Sequence, residues 1–435
     1  MPSDFRRLNS QLDESLARNL ILGIVGLIPI GFLAIKGHTN LDAGILLSIL
    51  VLPVTLQTTL GARIPRRLLL LLVAALACGP VLTYFATTTP ARAIDGSYEI
   101  ELSFLLFSVC VTIPTVYWSV LKSGWVKTLN VFAVGLIIQG VIEPSAWQGN
   151  AWKYVFAWPI TALLLPKRRS VIGAKLYGLT IAFALIAVSI VFNYRSFSGF
   201  LFGAILISIF SSRFRHTPIR TKAVVSVLMV CLVSIALYFG GSFAATHGLL
   251  GHSIQATSQK ETTAGYGLLI GARPEVGASI ALFESRPIGF GPGVIPSITD
   301  IDIAKAGLAR LGVQTNSQYV NQFLLGGHIE LHSILFDMWV DFGLVGLIAA
   351  LYFGWLSTRV LFRSVSAARS APIVLLTLGL SAVWDVLFSP LPNLNQDIVA
   401  VLVLIGFIVS TSETSKSDLK SSNLSNPTGL TTRLR

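Results

Sequence analysis

A succession of long apolar runs is the feature that most constrains the fold of this chain. A helix that crosses the hydrocarbon core of a bilayer needs about 20 apolar residues. Twelve stretches approach that length: 20–36, 41–60, 68–87, 101–121, 128–143, 150–165, 171–192, 198–212, 223–241, 333–356, 372–389 and 396–411. Lipid cannot satisfy backbone N–H and C=O groups, so each stretch is expected to be helical. The predicted fold class is all-α integral membrane, with about twelve transmembrane helices.

The composition excludes several other classes of protein. Hydrophobic residues make up 53% of the 435 and charged residues only 12%, against about a quarter in a soluble globular protein. The net charge of +12 comes from small basic groups between the apolar runs, which disfavours a nucleic-acid partner. The three cysteines lie in apolar stretches and predict neither a disulfide framework nor a CxxC metal site. The bilayer is therefore the expected main solvent.

The basic residues also predict the orientation of the spans. Lys and Arg concentrate in alternate connections, as the positive-inside rule requires of cytoplasmic segments, and the short loops on the other side hold only Lys36, Arg92, Lys153 and Arg195. Residues 1–19 are then a cytoplasmic tail, 20–241 hold helices 1–9, and 333–411 hold helices 10–12. The Ser-, Thr-, Asn- and Lys-rich segment 412–435 reads as a disordered cytoplasmic tail.

This topology leaves one large extracytoplasmic loop, residues 242–332, between helices 9 and 10. A loop of that length is uncommon unless it is functional. Pro274 suits the first turn of a helix that runs to about Ser285, and Asp300 suits the cap of another that stops near Gly312. The loop is therefore expected to be partly helical.

Two arginines on the predicted outer side are candidate anion-binding residues. Arg195 interrupts the positive-inside pattern in a short loop of small residues, and Arg273 precedes Pro274 at a predicted helix N-terminus. A guanidinium pairs bidentately with phosphate, and a helix N-terminus adds to the attraction. The alternatives are an arginine that snorkels to lipid headgroups, for Arg195, and a solvated loop charge, for Arg273.

A glycine-rich run, residues 287–293, lies further along the loop. Its alternating Gly289, Gly291 and Gly293 allow a tight turn and a close approach of backbone to a ligand, and Pro292 excludes a helix. The run lacks the form of a nucleotide-binding loop, so it is predicted to be a substrate loop. Arg286, immediately before it, is a further candidate for binding pyrophosphate.

Two histidines precede the tenth span. On one helical face, His328 and His332 are spaced to bind a metal, but no third ligand is evident and no metal is predicted. His332 stands at a polar boundary, where a neutral imidazole can act as a general base. The alternative is a histidine that is hydrogen-bonded at a helix start.

Three acidic residues fall inside predicted spans. Asp337 and Asp341 lie in the tenth and Asp385 in the eleventh, and intramembrane acids are costly enough to suggest function. Helical spacing puts neither Asp337 nor Asp341 on the face of His332, so no His and Asp dyad is predicted. Asp385 is expected either to pair with an arginine or to line a polar cavity.

Residues 287–293 and 332–347 together resemble the signature of the O-antigen ligase and O-antigen polymerase family, which are bacterial integral-membrane glycosyltransferases. The layout is similar too, since ligases of this family have twelve spans, cytoplasmic termini and a large loop before the tenth span. Arg195, Arg273 and His332 match the two arginines and the histidine of the family. The chain departs from the pattern at Ser333, where the family usually has asparagine, and at Asp341, where it has glutamate.

The resemblance implies a reaction at the outer face of the bacterial cytoplasmic membrane, in cell-surface polysaccharide biosynthesis. The donor would be a glycan on an undecaprenyl pyrophosphate carrier, and the acceptor a sugar hydroxyl on a glycan or glycolipid. The arginines would stabilise the leaving pyrophosphate without a metal or other cofactor, and His332 would accept the proton of the acceptor hydroxyl. Displacement at the anomeric carbon would invert its configuration.

Two other classes of function stay open on the sequence. A flippase or other polytopic transporter of lipid-linked oligosaccharide would also have twelve spans and arginines that escort pyrophosphate. The absence of an evident repeat of broken helices and the length of the outer loop disfavour it. A scaffold would leave Arg195, Arg273 and His332 freely replaceable.

Overall fold

The computed structural model describes residues 2–35, 39–88, 92–143, 149–167, 172–213, 275–367 and 371–424, with single positions at 147, 221, 247 and 273. The ninth predicted span, 223–241, and most of the first part of the large loop, 242–272, lie outside these ranges. The elements in chain order are α1 (Pro2–Leu27), β1 (Gly31–Ile35), β2 (Thr39–Asp42), α2 (Ala43–Gly61), α3 (Arg63–Thr88), α4 (Gly96–Ser123), α5 (Trp125–Ile142), α6 (Ala157–Leu164), α7 (Ile172–Val191), α8 (Arg195–Arg213), α9 (Glu275–Ser285), α10 (Ile298–Arg310), α11 (Ile334–Ala367), α12 (Ile373–Phe388) and α13 (Leu394–Leu424).

The helices fit a protein embedded in a membrane. Within the described ranges, six are long and apolar enough to cross a bilayer: α2, α3, α4, α5, α11 and the first part of α13. Shorter apolar stretches lie in α7, α8 and α12. The run 150–165 forms a π-helical stretch, Trp152–Phe156, followed by the short α6.

The first apolar run is not one continuous helix, contrary to the prediction for 20–36. Helix α1 ends at Leu27, and β1 pairs antiparallel with β2. Pro29 has no N–H with which to continue the helical hydrogen bonds, and the N–H of Gly31 donates to Gln139 Oε1 at 2.8 Å. A Cβ on Gly135 would lie 2.0 Å from the carbonyl oxygen of Gly26, so α1 and α5 meet backbone to backbone just before the turn.

The tenth predicted span is broken, although the sequence predicted one continuous helix over 333–356. Gly343 in α11 has φ 67° and ψ −157°, a conformation that only glycine adopts readily. A Cβ there would lie 2.7 Å from the carbonyl oxygen of Ile288. The break therefore lets the glycine-rich run approach the helix.

The C-terminal segment also differs from its prediction. Helix α13 continues to Leu424, past residue 412, where the sequence predicted a disordered tail. Adding residues to an existing helix costs far less than starting one, which lets a polar segment extend an apolar helix. Residues 425–435 lie outside the described part of the chain.

The described part of the large loop, 275–332, has its own core on the ends of α3 and α11. Its capped helix begins one turn earlier than Asp300: Ser297 is the N-cap, and Asp300 completes a capping box with it. The buried residues of this core are Ala86, Ala278, Leu282, Phe290, Val294, Ala304, Leu308, Val320, Leu324, Leu325, Ile329, Leu331, Trp339 and Val340. The part of the loop from 275 to 332 is thus packed against the helices rather than being a simple connector.

Candidate functional site

Arg273 is held where α12 ends. Its guanidinium carbon lies 5.9 Å from the ring centroid of Trp384 and 5.6 Å from that of Phe388. Each such cation–π contact contributes about 0.5–2 kcal/mol. Arg273 also interacts electrostatically with Asp385, which lies on α12 beside Trp384. The aromatic rings therefore position a cation beside a buried acid.

Glu275 and Tyr319 connect Arg273 to the histidine. Glu275 begins α9 and is 6% exposed, and its carboxylate accepts a hydrogen bond from the hydroxyl of Tyr319. The Tyr319 ring centroid lies 6.1 Å from that of His332. Burial, with the charge of Glu275, raises the pKa of Tyr319, although Arg273 opposes the shift. At neutral pH this hydroxyl therefore stays protonated and donates.

His332 has an unusual backbone and an unused nitrogen. Its φ of 50° is left-handed, which is uncommon for a residue other than glycine and costs about 1–3 kcal/mol. Its Nδ1 is buried and has no hydrogen-bond partner among the described residues. Strain and an unsatisfied polar atom at one side chain are features that cluster at functional sites.

The chain on both sides of His332 is fixed by hydrogen bonds. The Asp337 carboxylate accepts from the N–H of Leu331 at 2.9 Å and from the N–H of Leu391 at 3.2 Å. Ser333 donates to the carbonyl oxygen of Val386 at 3.2 Å. Asp337 thus fixes the backbone next to His332, through the N–H of Leu331, and its hydrogen bonds do not involve the His332 ring. Asp341 is 5% exposed and interacts electrostatically with Asp337.

His328 belongs to a neighbouring cluster. Its ring stacks on Tyr98 with centroids 4.0 Å apart, and its Nε2 lies 3.1 Å from Glu330. Burial alone would raise the pKa of Glu330, but the hydrogen bond and charge of His328 hold it below its ordinary value. Residues 325–333 are irregular, so the helical face assumed for a metal pair of His328 and His332 does not form.

Arg195 stands at the first position of α8. It is exposed, and its Nε donates to Asn193 Oδ1 at 3.1 Å. The preceding residue, Tyr194, interacts electrostatically with Asp385, which links the start of α8 to the acid beside Arg273. Tyr194, the neighbour of Arg195 in sequence, and Arg273 therefore both interact with Asp385 of α12.

Asp385 has a buried acidic partner that the sequence reasoning missed. Ser381 donates to Asp385 at 3.1 Å, Ser389 donates to it through a short hydrogen bond, and the carboxyl group contacts Asp397. Asp397 is 0% exposed, and Asp385 is the described side chain that its carboxyl group contacts. Asp397 lies within the predicted span 396–411, so its position alone was a signal.

The glycine-rich run is buried in protein rather than lining an open cleft. A Cβ on Gly289 would lie 2.5 Å from the Trp339 carbonyl oxygen, one on Gly291 2.4 Å from the Thr83 nitrogen, and one on Gly293 2.6 Å from the Asp95 carbonyl oxygen. Arg286 donates from Nε to the carbonyl oxygen of Gly289 at 2.7 Å. The three glycines thus join α3, the start of α4 and α11, which gives them a packing role.

The site therefore combines a cation, a tyrosine hydroxyl, a strained histidine and a buried acid pair at the end of α12. Glu275 and Tyr319 carried no local signal in the sequence, because their importance comes from contacts between distant segments. The arrangement is able to bind an anion at Arg273 and to accept a proton at His332. No known family model matches this chain, and no curated protein is significantly similar to it.

Proposed function

We propose that the protein is a membrane glycosyltransferase of the O-antigen ligase and polymerase type. In this proposal it has twelve spans with both termini cytoplasmic, and residues 242–332 face the outside of the bacterial cytoplasmic membrane. The observation that carries the proposal is the convergence of Arg273 and His332, far apart in sequence, on Tyr319: Arg273 interacts electrostatically with the Tyr319 hydroxyl, and the His332 ring centroid lies 6.1 Å from that of Tyr319.

The donor in this proposal is a glycan on undecaprenyl pyrophosphate. Arg273 binds the pyrophosphate, since its fork matches phosphate oxygens bidentately, and Arg195 approaches from the start of α8. Trp384 and Phe388 hold the Arg273 guanidinium in place before the donor arrives. Such preorganised charge stabilises the leaving group as its negative charge develops.

The acceptor hydroxyl attacks the anomeric carbon of the donor. A new C–O bond forms, the bond between that carbon and the pyrophosphate oxygen breaks, and the hydroxyl proton passes to a nitrogen of His332. The bonding electrons leave with the pyrophosphate as an anion beside Arg273. General-base assistance of this kind contributes about 10²- to 10⁴-fold in rate, and direct displacement inverts the anomeric configuration.

A transporter of lipid-linked oligosaccharide is the second candidate. The break of α11 at Gly343 and the buried pair of Asp385 and Asp397 favour it, because transporters bind substrates and coupling ions at broken helices and intramembrane acids. In that case Arg195 and Arg273 escort pyrophosphate and His332 performs no chemistry. The two candidates differ in whether a glycosidic bond forms.

A transfer assay separates them. The purified protein in liposomes receives an undecaprenyl-pyrophosphate oligosaccharide and a panel of hydroxyl acceptors, and mass spectrometry resolves the products. We expect a new glycoside from the wild type and none from His332→Ala. A ladder on the lipid carrier would indicate a polymerase, and transfer to a different acceptor a ligase. Donor left unchanged with every acceptor would contradict the proposal and favour transport.

A further inference from the structure

A second pair of arginines surrounds Phe290 in the glycine-rich run. The guanidinium carbon of Arg92 lies 5.7 Å from the Phe290 ring centroid, and that of Arg286 lies 5.3 Å from it. The two guanidinium carbons are therefore no farther apart than the sum of these distances. The electrostatic interaction between Arg92 and Arg286 is unfavourable and, after burial, contributes to a lowered pKa of Arg286.

The carboxylate of Asp300 interacts with both arginines. Arg92 donates from Nε and Nη2 to Asp300, at 2.9 and 3.0 Å, and the two side chains are 7% and 5% exposed. Asp300 also interacts favourably with Arg286. Two positive charges and one negative leave this cluster with a net positive charge.

Arg92 also carries a buried donor group that no described residue uses. Its Nη1 is buried and has no hydrogen-bond partner in the described part of the chain. A buried donor without an acceptor costs about 1–3 kcal/mol, and more when it is charged. An incoming anionic oxygen would remove that cost and would also relieve the repulsion between the two guanidiniums.

We propose that Arg92 and Arg286 form an anion subsite that binds a phosphate group. Arginine suits phosphate because its planar fork presents paired N–H donors. Arg92 supplies the buried Nη1, and Arg286, which is half-buried, keeps the site accessible. The phosphate comes either from a phospholipid headgroup or from a pyrophosphate, and both present the same oxygens.

This inference does not depend on the proposed glycosyl transfer, because a transporter or a scaffold can hold the same subsite. It also gives Arg92 a role that the sequence reasoning did not assign. The signal was available, since Arg92 is one of the few basic residues on the predicted outer side.

The test uses the full chain, purified in detergent for titration with inorganic pyrophosphate and in nanodiscs for lipid binding. Native mass spectrometry compares retention of phosphatidylglycerol with that of phosphatidylcholine. The variants are Arg286→Gln, Arg286→Lys and the double variant Arg92→Gln/Asp300→Asn, which leaves no unpaired buried carboxylate. Arg310→Gln is the matched control, because Arg310 is an arginine of the same loop with a side chain 69% exposed. Thermal unfolding verifies that each variant is folded.

We expect at least tenfold weaker binding of one phosphate ligand in Arg286→Gln and in the double variant, with Arg286→Lys intermediate and the control unchanged. A selective effect on pyrophosphate identifies that source, and a selective effect on phosphatidylglycerol identifies the headgroup. Unchanged binding of both ligands in the folded variants would overturn the subsite. So would an equal loss in Arg310→Gln, which would indicate a response to net charge alone.

Discussion

Two irregular segments contact α11, and both contain left-handed backbone. One is the glycine-rich run, residues 287–293, called the glycine turn below, and the other is the histidine segment, residues 326–332. Their environments are opposite. In the glycine turn the N–H groups of Phe290 and Gly291 donate to the Val340 carbonyl oxygen, and Thr83 donates to Pro292. In the histidine segment Gly327 has open space around it, and His332 keeps a buried nitrogen unpaired among the described residues.

The left-handed residues of the two segments differ in what holds their backbone in that conformation. At Gly291 the backbone conformation is required by a neighbour that leaves no room for a side chain. At His332 a bulky side chain occupies a backbone conformation that favours glycine, and the surrounding hydrogen bonds of Asp337 hold it there. Strain that the surrounding structure maintains, at a residue with unused polar capacity, points to function.

The largest effect that we expect is a loss of folding stability on substitution of Gly291, and it should exceed the loss at Gly327, which has a similar φ. Gly291 has φ 106° and Gly327 has φ 113°, but only at Gly291 would a Cβ meet neighbouring atoms, at 2.4 Å from Thr83 N. Gly291→Ala should lose about 3 kcal/mol or more from strain and overpacking together, and Gly327→Ala about 1 kcal/mol from strain alone. Chemical denaturation in detergent measures both. Equal losses would show that the packing of the turn is not decisive.

The next effect is on turnover. Arg273→Lys keeps the positive charge but loses the planar fork, so we expect donor turnover to fall about 10- to 100-fold, in line with loss of one strong charge-assisted hydrogen bond. Arg310→Lys serves as the matched control on the loop surface. Kinetics with the lipid-linked donor provide the measurement. Near-normal turnover in Arg273→Lys would indicate that a different group, such as Arg286, holds the pyrophosphate.

A smaller effect concerns acid stability beside the glycine turn. Burial opposes the shift, but the hydrogen bonds from Arg92 and Ser297 keep the pKa of Asp300 below its ordinary value of 3.8. A depressed pKa contributes stability that is present above that value and is lost as pH falls through the folded-state pKa. Asp300→Asn should remove this dependence below about pH 4 and should cost about 2 kcal/mol at neutral pH.

The matched variant for this test is Glu330→Gln, in the histidine segment. The pKa of Glu330 is also lowered, with burial opposing and His328 as the main favourable partner, but its side chain is 38% exposed. Solvent screens such a pair, so its acid dependence should be weaker than that of Asp300. Unfolding measured between pH 3 and pH 7 tests the order, and a larger effect at Glu330 would contradict it.

The smallest expected effect is the stability change in His332→Asn. Asparagine tolerates left-handed backbone better than most residues, and the unpaired Nδ1 of His332 contributes no hydrogen bond among the described residues. The free energy of unfolding should therefore change by less than about 1 kcal/mol. A loss of several kcal/mol in denaturant unfolding would mean that the imidazole is structural.

Much of the helical architecture follows from local sequence. Apolar runs predict where α2, α3 and α12 lie, because the lipid requirement acts on each segment separately. The helix that begins at Glu275 follows from the proline before it, and the helix beyond Ser297 from its polar start. These features depend on neighbours a few residues away, which the sequence displays directly.

The parts that escaped prediction depend on distant neighbours. The hairpin of β1 and β2 needs Gln139 and the close approach of Gly135, and the break at Gly343 needs the backbone of Ile288. In the same way, Arg273 and His332 were predicted as candidates separately, whereas the Tyr319 that joins them was not. Side-chain contacts between segments far apart in sequence are not encoded in local periodicity.

In the proposed function His332 performs chemistry rather than packing. The most direct measurement is the rate of glycoside formation from a lipid-linked donor by wild type and His332→Asn, with both proteins shown to be equally stable and to bind the donor equally. We expect a loss of about 10²-fold or more in rate with stability and donor binding unchanged. Transfer by His332→Asn at the wild-type rate would contradict it.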